Sequence, residues 1–162
     1  MTVRLAQTRD IPRIHALLRQ VEEVHHRIRP DLFRDGGSKY TDGELAAILA
    51  DGSRPILAAV DEDDRLVGYA FCILQQQKGS TVMTDVKTLY IDDLCVDEAM
   101  RGQHIGRTLY DAAVQYAKDH SCYNLTLNVW AGNDSAKRFY ESWGPRGRHL
   151  RNGYRIFVPR PG

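Results

Sequence analysis

The sequence predicts an α/β fold in one domain, a mixed sheet with helices on both faces. Three observations predict it. Segments whose apolar residues recur at helical spacing interleave with segments that alternate at period two. The run from Leu89 to Leu109 passes from a strand through a glycine-bearing loop into a helix. Finally, the 162 residues are 43% hydrophobic and 27% charged and contain no repeat, low-complexity tract or linker, so one core serves the whole of 1–162.

Val3 to Ala6 reads as a short strand. Ile11, Ile14, Leu18, Val21 and His25 or Ile28 then recur at helical spacing, predicting an amphipathic helix over about 10–28. Pro12 fits its first turn, where no amide bond is lost. Arg29 to Ser38 is loop-like. Thr41 is placed to cap a second, shorter helix, with Glu44 completing a capping box and Leu45, Ile48 and Leu49 turned inward. Pro55–Val60 and Leu66–Leu74 are two strands joined by the acidic turn Asp61 to Arg65, and the polar stretch Gln75–Lys87 is loop or ragged strand end. Leu89–Val96 is a strand, and Ile105, Leu109, Ala112 and Tyr116 mark the helix after it. Leu125, Leu127 and Val129 alternate on the next strand, and 133–143 reads as a further helix. A hairpin, Arg146–Leu150 and Tyr154–Val158, turns at Asn152-Gly153. The order is β-α-α-β-β-β-α-β-α-β-β.

Composition excludes several classes. A net charge of +1 gives no overall field for nucleic acid or an anionic membrane. Met1 to Gln20 carries five charges and no apolar core, unlike a signal peptide or anchor. The three cysteines, Cys72, Cys95 and Cys122, lack a CxxC pair and sit in apolar stretches, as reduced core thiols of a cytoplasmic protein would. His25 and His26 are adjacent, so on a helix they diverge by ~100°. With no third ligand nearby, no metal is expected.

The chemistry concentrates in Arg101-Gly-Gln-His-Ile-Gly106-Arg107. Amides at the start of a helix point outward without helical partners, and the helix dipole adds positive potential, so a phosphate or pyrophosphate is the usual guest. Gly102 and Gly106 allow close backbone approach, and Arg101 and Arg107 supply charge. The spacing fits neither the dinucleotide pattern nor the P-loop. It resembles motif A of the GNAT superfamily of N-acetyltransferases, Gln/Arg-x-x-Gly-x-Gly/Ala, with His104 where that family usually has glycine. Leu125 to Gly144 is similar to the family's motif B, a strand followed by Asn-x-x-Ala-x-x-Phe-Tyr, here Asn133, Ala136, Phe139 and Tyr140.

The resemblance implies a GNAT fold, a mostly antiparallel sheet of about seven strands splayed in a V, with acetyl-CoA as cosubstrate in the V. It implies backbone contacts from Leu94, Cys95 and Val96, with the Cys95 thiol as packing. It implies a pyrophosphate cradle from Arg101, Gly102, Gln103, His104, Ile105, Gly106 and Arg107, and a pantetheine path past Asn133 and Ala136. Tyr140 would then protonate the departing thiolate.

An alkylamine is mostly protonated at neutral pH and must lose a proton before it attacks. Asp92 and Asp93 are adjacent on a strand, so their side chains point to opposite faces unless a bulge re-aims one. Tyr90 to Val96 is similar to a segment of the spermidine/spermine acetyltransferase branch, in which the residue matching Asp92 is the proposed base or amine contact. The first helix and its following loop should wall the acceptor site, with Glu22, His26 and Arg29 joining Asp92 and Asp93. A carboxylate wall suits a polyamine; arginines suit an acceptor bearing its own anion. The acceptor expected is a primary amine of a small molecule. A protein N-terminus or lysine, and a regulatory acyl-CoA-binding domain without catalysis, fit the same motifs, and a homodimer is compatible with them.

Overall fold

The computed structural model describes residues 1–32, 39–76, 79, 81–82, 86–130, 138, 146–150 and 153–159. Their seven strands are β1 (Thr2–Leu5), β2 (Ile56–Val60), β3 (Leu66–Gln76), β4 (Lys87–Val96), β5 (Asn124–Trp130), β6 (Arg146–Leu150) and β7 (Gly153–Pro159). They form one sheet in the order β1-β2-β3-β4-β5-β7-β6. Only the β4–β5 pairing in that sheet is parallel. The expected α/β class and the mixed, mostly antiparallel seven-stranded sheet are both present.

Three helices are described: α1 (Ile11–Ile28), α2 (Asp42–Ala50) and α3 (Ile105–Asp119). Period-two alternation sorts the strand side chains onto two faces. On one face Leu57, Ala59, Val67, Ala70, Leu89 and Ile91 pack against α3. On the other Ile56, Ala58, Val60, Tyr69 and Phe71 pack against Ile14, Leu17 and Leu18 of α1 and Leu45 and Ile48 of α2. Covered on both faces, β2 is buried at all five positions, which explains its unbroken apolar run. Cys72, Cys95 and Cys122 are free thiols inside these cores. No helix among the described residues is long and apolar enough to cross a membrane.

The capping box forms as the sequence predicts. The Glu44 amide donates to Thr41 Oγ1 and the Thr41 amide to Glu44 Oε1, both at 3.1 Å. Two local readings shift. The buried stripe of α3 is Ile105, Leu109, Tyr110, Ala113 and Ala117, which turns Ala112 and Tyr116 to its flank, where Tyr116 stacks on His120 at 3.9 Å. Gly153 pairs with Leu150 and opens β7, so it belongs to the strand rather than the turn. The helix predicted over 133–143 lies outside the described residues, Arg138 excepted.

Glycine decides one contact that positions the site. A methyl group on Gly68 of β3 would stand 2.9 Å from Leu109 Cδ1, 3.1 Å from the Cys95 carbonyl oxygen and 3.2 Å from Ile105 Cγ2. The bare backbone there lets the first turns of α3 settle onto the sheet.

Candidate active site

The site begins where β4 and β5 part. Their parallel pairing runs from Thr88↔Asn124 to Ile91↔Leu127 and goes no further. Beyond it β4 continues to Val96 paired with β3 alone, and β5 continues to Trp130 paired with β7 alone. Among the described residues, β4 past Ile91 therefore has no partner on its β5 side, which is the splayed V expected from the sequence. Cys95 itself is turned away: its thiol donates to the Leu17 carbonyl at 3.8 Å, and burial pushes its pKa up to about 12. It packs, as expected.

At the same point β4 carries a bulge. Phe71 pairs with Asp93 and Cys72 with Ile91, leaving Asp92 as the extra residue. A bulge abolishes the strict alternation of neighbouring side chains. Both carboxylates act on one ammonium, that of Lys39, whose Nζ lies 3.5 Å from Asp92 Oδ2. The Tyr69 hydroxyl donates to Asp93 Oδ2 at 2.9 Å. Asp93 is part-exposed as a residue, and burial of its carboxyl raises its pKa from 3.8 to about 6, with Asp92 adding to the rise while Lys39, Tyr69 and the Leu94 amide oppose it. Asp92 keeps 28% of its side-chain surface exposed.

Around this pair stand α1 and the segment before α2. Burial lowers the pKa of His25, Glu22 opposes that change and Lys39 adds to it, so His25 stands in the field of both. Tyr40 stacks on Phe71 at 5.7 Å, and Phe71 meets Tyr69 edge-on at 4.9 Å. The other predicted acceptor residues are placed less directly. Glu22 and His26 are part-buried on the last turns of α1. Arg29, at its C-terminal end, is engaged by Asp31 through two bonds of 3.0 and 2.8 Å. Lys39, Tyr69, Tyr40 and Phe71 were not singled out by sequence reasoning. Period-two spacing of Tyr69 and Phe71 on β3 could have flagged that pair; Lys39 lies outside any periodic segment and carries no local signal.

The predicted anion cradle is exposed at Arg101, Gly102, Gln103 and His104, and Ile105 anchors the first turn of α3 in the core. Gly102 has φ +85 with nothing within 4 Å of a methyl group placed on it, so its backbone is open to a ligand. His104 caps α3 at φ 60, ψ 22, the left-handed conformation that glycine usually supplies. Its carbonyl accepts from the Thr108 amide and hydroxyl, each at 3.0 Å. Arg107 pairs with Asp111 one turn on. A glycine with free space at a helix start, flanked by Arg101 and Arg107, fits a pyrophosphate.

A clamp ties this loop to α1. Arg13 Nη2 donates to Asp97 Oδ2 at 2.6 Å and Gln20 Nε2 to Asp97 Oδ1 at 3.3 Å. Gln20 Oε1 also accepts the Glu98 amide at 3.1 Å, and Asp97 accepts the Ala99 amide. Burial alone would raise the pKa of Asp97, yet the Ala99 amide, Arg13 and Gln20 hold it below the usual carboxylate range. Asn133, Ala136 and Tyr140 lie outside the described residues. Among the described residues, no group of three or more His, Cys, Asp or Glu could hold a metal ion.

A mixed sheet parted at its parallel seam beside a β-bulge, with a helix starting after the parted strand, is the architecture that the sequence predicts. Residues 18–144 match the acetyltransferase (GNAT) family, and the chain belongs to that family. A crystallised mutant of the BH1408 protein of Bacillus halodurans is 35% identical, with 93% of this chain and 96% of that one covered at a TM-score of 0.85. The PaiA N-acetyltransferase of Thermoplasma acidophilum, crystallised with coenzyme A, shares the fold at 15% identity and a TM-score of 0.74, over 98% of this chain and 99% of that one. The putative [ribosomal protein bS18]-alanine N-acetyltransferase of Bacillus subtilis is 27% identical over 95 residues, 59% of this chain. That match spans 56% of the relative, so the chain spans about half the length of this curated relative.

Proposed function

We propose that the chain transfers the acetyl group of acetyl-coenzyme A to a primary amine of a small molecule. The observation that carries this reading is the Asp92–Asp93 pair, gathered by the β4 bulge at the point where β4 and β5 part. Bound acetyl-coenzyme A would supply the activated acetyl group. Arg101 to Arg107 would hold its pyrophosphate through backbone amides, and the β4 backbone at Leu94, Cys95 and Val96 would pair with its pantetheine arm. Asn133 and Ala136 are assigned to the same arm on the motif alone.

Asp92, part-exposed, receives the acceptor ammonium, with Glu22, His26 and Arg29 as more distant wall. Asp93 is the better proton acceptor, because a carboxylate at about 6 binds a proton nearer neutral pH than an ordinary one. Tyr140 donates the proton that the leaving thiolate needs. A peptide N-terminus is the second reading, favoured by the match to an enzyme described as acting on ribosomal protein bS18.

Thiol release from acetyl-coenzyme A with a panel of small amines and alanine-started peptides tests both. Turnover with small amines supports the proposal; turnover confined to peptides selects the second reading. Tyr140→Phe, which removes one hydroxyl, should lower kcat by ~10²–10⁴-fold with little change in cofactor affinity. An unchanged kcat with chemistry rate-limiting would remove Tyr140 from the mechanism.

A further inference from the structure

The acceptor pocket carries an ammonium of its own. Lys39 Nζ stands 3.5 Å from Asp92 Oδ2 and keeps one third of its side-chain surface exposed, at 33%. Its position is built rather than incidental. Tyr40, the next residue, stacks on Phe71, Phe71 meets Tyr69, and Tyr69 donates to Asp93. An aromatic ladder thus joins the backbone beside Lys39 to the second carboxylate. The ammonium also lies 5.4 Å from the centre of the Tyr40 ring. Asp93 and Asp92 keep it protonated against the opposing effect of burial.

Two carboxylates beside each other in a pocket would ordinarily attract two cations, and on sequence alone they suit a polyamine. Lys39 changes that balance, because one of the two cation positions is already filled. An incoming amine enters the repulsive field of Lys39. For a monoamine this acts on a single charge, the one that must be lost before nitrogen can attack, so the repulsion assists deprotonation. A diamine brings a second ammonium that keeps its charge throughout and gains nothing in return. On the α1 side His25, whose neutral form is favoured, stands in this field and in that of Glu22.

We propose that Lys39 is a specificity-determining residue: it occupies the second cation position of the Asp92–Asp93 pair and selects monoamines over di- and polyamines. This rests on the reading of the pocket as the acceptor site.

The test compares pentylamine with 1,5-diaminopentane in the full-length protein, in the wild type, Lys39→Met and Lys39→Arg. Lys39→Met should raise kcat/KM for the diamine at least tenfold more than for the monoamine. Lys39→Arg keeps the charge and should keep the wild-type ratio. An unchanged ratio in Lys39→Met, or an equal loss with both amines, overturns the role of Lys39 while leaving the transferase reading intact. Calorimetric titration with the diamine reads the same charge without turnover: Lys39→Met should bind it at least tenfold more tightly, and equal affinity would refute the proposal. Absence of turnover with every amine and peptide, alongside that gain in binding, would refute the transferase reading and not the role of Lys39.

Discussion

Replacing Asp93 by asparagine turns the enclosed carboxyl into a measurable pH dependence of stability. Its pKa is about 6 in the fold against 3.8 for an ordinary carboxyl, with burial as the main cause. Because the folded value is the higher one, the native state retains a proton that the unfolded chain has released between these two values. The group therefore favours folding at the acid end, and that contribution is lost as pH rises through 6. The whole swing is about 3 kcal/mol at about 1.4 kcal/mol per pH unit. On the order of 1 kcal/mol of it falls between pH 5 and pH 8. Asparagine does not titrate, yet it keeps an oxygen to accept the Tyr69 hydroxyl. Urea denaturation of both proteins at half-unit steps from pH 5 to 8 should show Asp93→Asn gaining on the wild type by on the order of 1 kcal/mol, mostly below pH 6.5. Lys39 and Tyr69, which are coupled to Asp93, have pKa values raised above this window, so their charges do not change across it. A difference that stays constant with pH, or that grows toward acid in favour of the variant, would refute the enclosure of this carboxyl.

Three further outcomes follow from contacts around the start of α3 and the strand before it. Gly68→Ala should destabilise the protein by about 1–3 kcal/mol through overpacking against Leu109, Ile105 and the Cys95 carbonyl, seen as a lower denaturation midpoint. A neutral result would mean that α3 shifts freely on the sheet. Arg13→Met removes the 2.6 Å charged bond to Asp97 and should cost about 2 kcal/mol while raising the KM for acetyl-coenzyme A more than it lowers kcat. A variant whose KM is unmoved would show that the clamp stabilises without positioning the loop. His104→Gly relieves a left-handed residue and should raise stability by up to about 1 kcal/mol, with coenzyme A affinity equal or better; a tenfold weaker complex would show that the imidazole itself contributes.

Features that the sequence displays are those written within one helical turn or along one strand. Thr41 and Glu44 are three residues apart and satisfy each other's amides, so their box could be read directly. The α3 stripe was legible only to within one residue, because Tyr110 and Ala113 are as apolar in pattern as Ala112 and Tyr116. The charge cluster was half legible. Asp92 and Asp93 announce themselves as neighbours, but the bulge that gathers them arises from the register of β3 against β4. Lys39 joins them across 53 positions, and Arg13 reaches Asp97 across 84. No periodicity encodes such meetings, since they are set by how the helices land on the sheet.

The parallel seam of four residue pairs between β4 and β5 gives the sheet two unequal plates, β1–β4 and β5–β7–β6. Parallel ladders are slightly less stable per residue than antiparallel ones, and this one is short. Opening along it would release the second plate as a unit at a free energy below that of global unfolding. A ligand lying between the parted strands touches both plates and acts as a staple across the seam. Amide exchange on the unpaired side of β4 and on β5 should therefore slow together when coenzyme A binds, far more than exchange in β1 or β2. On the proposed function, the gap that would admit the cofactor is also the line along which the two plates would part.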